Sequence, residues 1–163
     1  MPAGRKSNRL IGYDYAQPGA YFVTVCVKNR KCVLSTIEDG YVHLSNLGYP
    51  VERSIKMTQR HFLDVSMDSF VIMPNHLHAI IIHEASIPRR AGVTPPLPKK
   101  ESLGQIVAYF KYHSAKAINQ YLNTPGQRFW QRNYYDRVIR NEIELNRLRK
   151  YILDNPLCWE TDR

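Results

Sequence analysis

The stretch Met73-Pro74-Asn75-His76-Leu77-His78-Ala79-Ile80-Ile81-Ile82 constrains the fold more than any other, because its apolar residues serve two faces at once. Alternate side chains of a strand share a face, so His76, His78 and Ile80 line one side and Leu77, Ala79 and Ile81 the other. A strand apolar on both sides reads as the centre of a covered sheet. The same alternation points both imidazoles one way. Two neutral imidazoles side by side suit a divalent cation, whereas two core histidines would each need a separate buried partner. The pair by itself is compatible with either.

The flanking elements follow from periodicity. Asp64 to Met73 alternates and continues through a turn at Pro74-Asn75 into His76 to His83, two strands in succession. Tyr21-Phe22-Val23-Thr24-Val25-Cys26-Val27 is a β-branched and aromatic run that reads as another buried strand. Leu47, Val51 and Ile55 recur at helical spacing between Asn46 and His61, with Pro50 tolerated in the first turn. Ser102 and Gln105 have the spacing of a capping box. They open a helix whose stripe runs through Leu103, Ile106, Val107, Phe110, Ala117, Ile118 and Tyr121, with Tyr109 and Tyr112 expected at the core or its rim. Phe129 to Arg140 is aromatic and basic and contains a short strand around Arg137 to Arg140. Asn141 and Glu144 open a last helix, expected to end near Asn155 because proline disfavours helical geometry in the residue before it. Between Ala85 and Glu101, four prolines sit among basic residues without hydrophobic period, a loop or hinge within a single domain spanning 1–163.

Charge narrows the partner. The chain carries 23 Lys plus Arg against 14 Asp plus Glu, a formal +9, which points to a polyanion and to nucleic acid first. No apolar run reaches the roughly 18 residues a membrane span needs, so no membrane partner is expected. The polar start lacks a signal-peptide core, and three cysteines without a CxxC pair describe neither a disulfide framework nor a thiolate zinc site; a cytoplasmic, nucleoid-associated protein is the expectation.

On the last helix, Leu145, Leu148 and Ile152 form a core stripe, and Tyr151 and Asn155 fall together one turn apart at its edge. A carboxamide oxygen is a suitable hard third ligand for a cation already held by two imidazoles. A phenol, whose ordinary pKa is near 10, becomes a useful nucleophile only where cationic groups stabilise its charge. The plainer reading is that Tyr151 packs at the core rim and Asn155 caps the helix. Both stand on spacing alone.

Four motifs in order then carry a resemblance: Gly19-Ala20-Tyr21-Phe22-Val23-Thr24-Val25, Met73-Pro74-Asn75-His76-Leu77-His78, Trp130-Gln131-Arg132-Asn133-Tyr134-Tyr135-Asp136, and Tyr151-Ile152-Leu153-Asp154-Asn155-Pro156. From Gly12 to Trp159 the chain resembles the one-tyrosine transposases, and within them the REP-associated tyrosine transposases. The resemblance implies an α+β fold of HUH endonuclease type, a ferredoxin-like antiparallel sheet with helices on one face and a tyrosine-bearing helix near the paired histidines. It implies His76, His78 and Asn155 as ligands of Mg²⁺ or Mn²⁺, although insertion-sequence relatives commonly carry glutamine where Asn155 stands. It implies Tyr151 as the nucleophile of a single-stranded DNA endonuclease and strand transferase, forming a 5′-phosphotyrosine link on hairpin-containing DNA. Single strands are held by basic grooves and by rings that stack on bases. The residues expected to do so are Arg89, Arg90, Lys99, Lys100, Arg128, Trp130, Arg132, Tyr134, Arg137, Arg140, Arg147 and Lys150, with Tyr135 in the same mixture and a second core as the alternative place for Trp130. A monomer is expected ahead of a homodimer. The competing class is a non-catalytic DNA- or RNA-binding relative that retains the fold. A histidine-triad hydrolase fits poorly, because Ile80 stands where its third histidine belongs.

Overall fold

A computed structural model describes residues 9–85 and 101–160. Most of the Pro-rich basic segment, including Arg89, Arg90, Lys99 and Lys100, lies outside the described residues.

β1 (Gly19–Cys26) is followed by a hairpin of β2 (Ser35–Glu38) and β3 (Tyr41–Leu44), then by α1 (Gly48–His61). β4 (Val65–Ile72), β5 (His76–His83), α2 (Leu103–Leu122), β6 (Tyr135–Ile139) and α3 (Glu142–Asp154) complete the order. The main sheet is antiparallel with strand order β4-β5-β1-β6. Without the small hairpin, the chain reads β-α-β-β-α-β with its first and third strands central, the ferredoxin-like arrangement that the resemblance implies. β5 is central as its two-faced apolarity requires, and seven of its eight residues are buried.

The two faces have different covers. Val23 and Val25 of β1 with Leu77 and Ile81 of β5 meet Val51, Ile55, Ile106, Val107 and Phe110, so α1 and α2 share one side. Ile80 meets Ile139, Leu145 and Ile152 on the other, where α3 lies. The expectation of helices on one face holds for α1 and α2, while the tyrosine helix takes the opposite face. That placement follows from sequence alternation, because Ile80 shares its face with His76 and His78.

The hairpin β2–β3 was not anticipated, although Asp39-Gly40 is the strongest short-range signal for one. Asp39 and Gly40 have φ of 51° and 78°, and it is this left-handed backbone that favours glycine at position 40. The Ser102 capping box forms in both directions, and Asn141 Oδ1 accepts from the Glu144 amide at 2.8 Å. Pro50 sits in the first turn of α1. Tyr112 and Tyr121 are 61% and 57% exposed, a correction to their expected place at the core or rim: the buried stripe of α2 closes on Ile118 and Asn119 instead.

α3 ends at Asp154, next to the expected Asn155, but not for the expected reason. Asn155 keeps helical geometry (φ −56°, ψ −41°) before Pro156, and the chain runs on as a 3₁₀ turn from Asn155 to Cys158. Burial of Asn155, Pro156 and Trp159 offsets the steric preference against helix before proline. No described helix is long and apolar enough to cross a membrane.

Candidate active site

His76 and His78 are both buried, and their Nε2 atoms face each other at 3.0 Å. His76 Nδ1 lies 2.6 Å from Asn75 Oδ1. An amide oxygen only accepts, so Nδ1 carries the proton and Nε2 presents a lone pair inward. His78 Nδ1 lies 2.8 Å from Thr24 Oγ1. A hydroxyl both donates and accepts, so His78 can donate to His76 or, with its own Nδ1–H turned to Thr24, present a second lone pair beside the first. Outer partners that orient imidazoles in this way are usual in metal sites. Thr24 pairs with His78 in the β1–β5 ladder, which places its hydroxyl on the same face.

Burial pushes the His78 pKa down to about 3, with His76 and then Arg30 adding to the effect. The ring is therefore neutral at ordinary pH, the form in which imidazole binds a cation.

α3 and the turn beyond it bring two rings to this pair, with Asn155 midway between them in the chain. The Tyr151 ring lies 5.4 Å from the His78 ring and 5.9 Å from Phe22, edge-on to both, and is 43% exposed. Trp159 lies 6.2 Å from His76. Asn155, four residues from each, is 2% exposed, and its Oδ1 has no hydrogen-bond partner among the described residues. A buried amide oxygen left so costs about 1–3 kcal/mol unless something occupies it. Asn155 stands at the C-cap position of α3, as the plainer reading has it, and its Oδ1 is left over. Among the described residues no cluster of three His, Cys, Asp or Glu forms a metal group. With each Nδ1 beside an outer partner, both Nε2 atoms turn to one space, and the two imidazoles fit a divalent cation there.

α3 is held in register by a device invisible to pattern reading. The β4–β5 pairing shifts between Met67 and Ser69, leaving Asp68 as the extra residue, and a bulge of this kind re-aims a side chain. Asp68 then accepts two bonds from Arg149 of α3, at 2.6 and 2.8 Å. The Arg149 guanidinium holds the Asp68 carboxyl below the usual carboxylate range. Arg149 is thus structural, two residues before Tyr151.

The expected DNA-contact residues divide. Trp130 is a correction: it is 3% exposed, its indole donates to Ser114 Oγ at 2.9 Å, and its ring packs on Phe110, so no base can stack on it. Tyr134 is half-buried, with the Arg9 guanidinium 5.5 Å from its ring centre and donating to its hydroxyl. Tyr135 is the open ring, 55% exposed. It pairs with Thr24 across the β1–β6 ladder and so shares the face of His78. Arg137 pairs with Glu144, and Lys150 with Asp154. Arg128, Arg132, Arg140 and Arg147 are exposed and form no ion pair among the described residues. Lys111, which spacing did not single out, reaches from α2 to the carbonyls of Gln131 and Arg132 and fixes the aromatic-basic segment. An open groove of about 730 Å³ lies between the hairpin tip and the 3₁₀ turn and is lined in part by Trp159, which also stands beside His76.

No protein-family model matches the chain. A solved structure described as the REP-associated tyrosine transposase bound to a REP hairpin superposes with a TM-score of 0.62 at 18% identity, covering 91% of this chain and 72% of its own. A candidate transposase of Deinococcus radiodurans R1 superposes at 0.51 and 16% identity, over 88% of this chain and 94% of its own. The architecture is that of the tyrosine transposases. In sequence, an uncharacterized protein of Haemophilus influenzae is 35% identical, spanning 98% of this chain and 92% of that protein, and the chain belongs to one family with it.

Proposed function

We propose that this chain is a metal-dependent single-stranded DNA endonuclease and strand transferase, a transposase that forms a 5′-phosphotyrosine intermediate on hairpin-containing DNA. The observation that carries the reading is an exposed phenol set against two buried, facing imidazoles, with the unpartnered amide oxygen of Asn155 one helical turn further along the chain. His76, His78 and Asn155 would hold Mg²⁺ or Mn²⁺, which when bound supplies positive charge beside the scissile phosphate and the departing oxygen.

Tyr151 Oη attacks phosphorus, an O–P bond forms as the P–O3′ bond breaks, the phenolic proton passes to water, and water protonates the departing 3′-oxygen. Phosphodiester energy is retained in the tyrosyl ester, so a 3′-hydroxyl from another strand can reverse the step and join without a nucleotide cofactor. Asn75 and Thr24 orient the imidazoles. Phe22 and Trp159 wall the site and exclude water from its inner side. Tyr135 and the exposed arginines suit an unpaired strand, by stacking and by charge respectively. The transposase structure bound to a REP hairpin supports hairpin DNA as the partner. We propose that the chain acts as a monomer, with Tyr151 serving the histidine pair of its own chain.

The test is incubation of the protein with end-labelled single-stranded hairpins and Mg²⁺, followed by denaturing electrophoresis. A label that migrates with protein, lost in Tyr151→Phe while hairpin binding persists, is the expected result. Retardation of the hairpin without any covalent product from the wild-type chain would make this a binding protein instead.

A further inference from the structure

Arg30 lies just beyond β1, and spacing did not single it out. Asn29 and Arg30 have φ of 59° and 55°, consecutive left-handed residues without a glycine, a conformation that persists where surrounding structure enforces it and that gathers at functional sites. The turn is closed by the Arg30 amide donating to Val27 O at 3.0 Å. Its effect is to swing the guanidinium back along the strand, where Nη1 donates to Cys26 Sγ at 3.3 Å. Cys26 pairs with His76 across the β1–β5 ladder, and residues directly opposed in a ladder share a face. The guanidinium therefore sits over the face that carries the paired imidazoles.

Its charge is not neutralised there. Arg30 forms no ion pair among the described residues, and burial pushes the Cys26 thiol up, so the group it touches is neutral. A planar guanidinium has five donors, of which the thiol takes one, and the side chain is exposed. An exposed cation with free donors, aimed at a site built for a phosphodiester, matches two non-bridging oxygens in a forked contact.

We propose that Arg30 is a catalytic residue that binds the non-bridging oxygens of the scissile phosphate and stabilises the charge that grows on them as Tyr151 attacks. The inference rests on the transferase reading above. Arg30 takes no part in the proton transfers, and the bonds made and broken remain Tyr151 Oη to phosphorus and phosphorus to O3′.

The experiment compares the wild-type chain with Arg30→Ala and Arg30→Lys in single-turnover adduct formation, on a hairpin with a normal scissile phosphate and on one with a methylphosphonate at that position. Arg30→Ala should slow the normal substrate by about 100-fold or more, as removal of a transition-state donor does, with hairpin affinity changed by no more than about twofold. Arg30→Lys should recover part of the rate. On the methylphosphonate, which carries no charge for the guanidinium to meet, the gap between wild type and Arg30→Ala should close. A residue that only held the turn in place would leave the same gap on both substrates, and that result, or equal rates on the normal substrate, would overturn the proposal while the transferase reading stood. Absence of wild-type adduct on every hairpin would overturn both.

Discussion

At the scale of single residues, the site is a set of side chains whose chemistry is decided by neighbours one layer out. Thr24 and Asn75 leave the imidazoles facing inward, and α3 leaves Asn155 Oδ1 unpartnered. Removing one donor should act in a graded way. His76→Ala or His78→Ala should lose adduct formation that excess Mn²⁺ restores only in part, while Asn155→Ala, at the third proposed ligand, should raise the metal concentration needed; full activity in chelator for any of them would contradict the assignment. The buried histidine also makes a prediction about pH. His78 titrates near 6.5 when unfolded and is held to about 3 when folded, so across that interval the unfolded chain takes up a proton that the folded chain refuses. Stability then falls as pH falls through that window: thermal midpoints measured in chelator should drop between about pH 7 and about pH 5, and less so in His78→Gln.

At the scale of elements, the question is how a helix on the far side of the sheet is aimed at the strand beneath it. Leu145 and Ile152 supply the adhesion against Ile80 and Ile139, but a greasy stripe alone permits sliding. Asp68 removes that freedom by gripping Arg149. Its carboxyl is held below its ordinary value, so the grip contributes above the unfolded carboxylate range and is lost as acid protonates it. Asp68→Asn should therefore reduce adduct formation through misplacement of Tyr151, with hairpin affinity little changed; an unaltered rate would show that packing alone suffices. The helix start matters too. Asn141→Ala removes the cap and should cost about 1 kcal/mol in chemical denaturation. Trp130→Ala should cost roughly 3–5 kcal/mol as a core cavity, whereas Tyr135→Ala should leave stability intact and weaken single-strand binding. The opposite pattern would return Trp130 to the DNA surface.

At the scale of the whole molecule, one antiparallel sheet separates two jobs. The face under α1 and α2 is an ordinary apolar core, and the face under α3 carries the polar pair, the phenol and the exposed ring of Tyr135. The exposed Arg128, Arg132, Arg140 and Arg147 give the protein its electrostatic reach. Replacing Arg128, Arg132 and Arg147 by Ala should flatten the dependence of DNA affinity on salt, by roughly one unit of slope for each phosphate no longer neutralised. An unchanged slope would take them out of the footprint. Much of this was legible from local pattern. The central strand and its paired histidines follow from alternation, the capped helices from their Ser, Asn and Gln signals, and the juxtaposition of Tyr151 with Asn155 from helical spacing, because each is a rule about neighbours along the chain. The rest depended on contacts between distant segments. That Trp130 is core, that Tyr135 is the open ring, that Asp68 bulges toward Arg149 and that Arg30 folds back over Cys26 were decided only when the sheet closed, since burial and facing depend on what arrives from elsewhere in the chain.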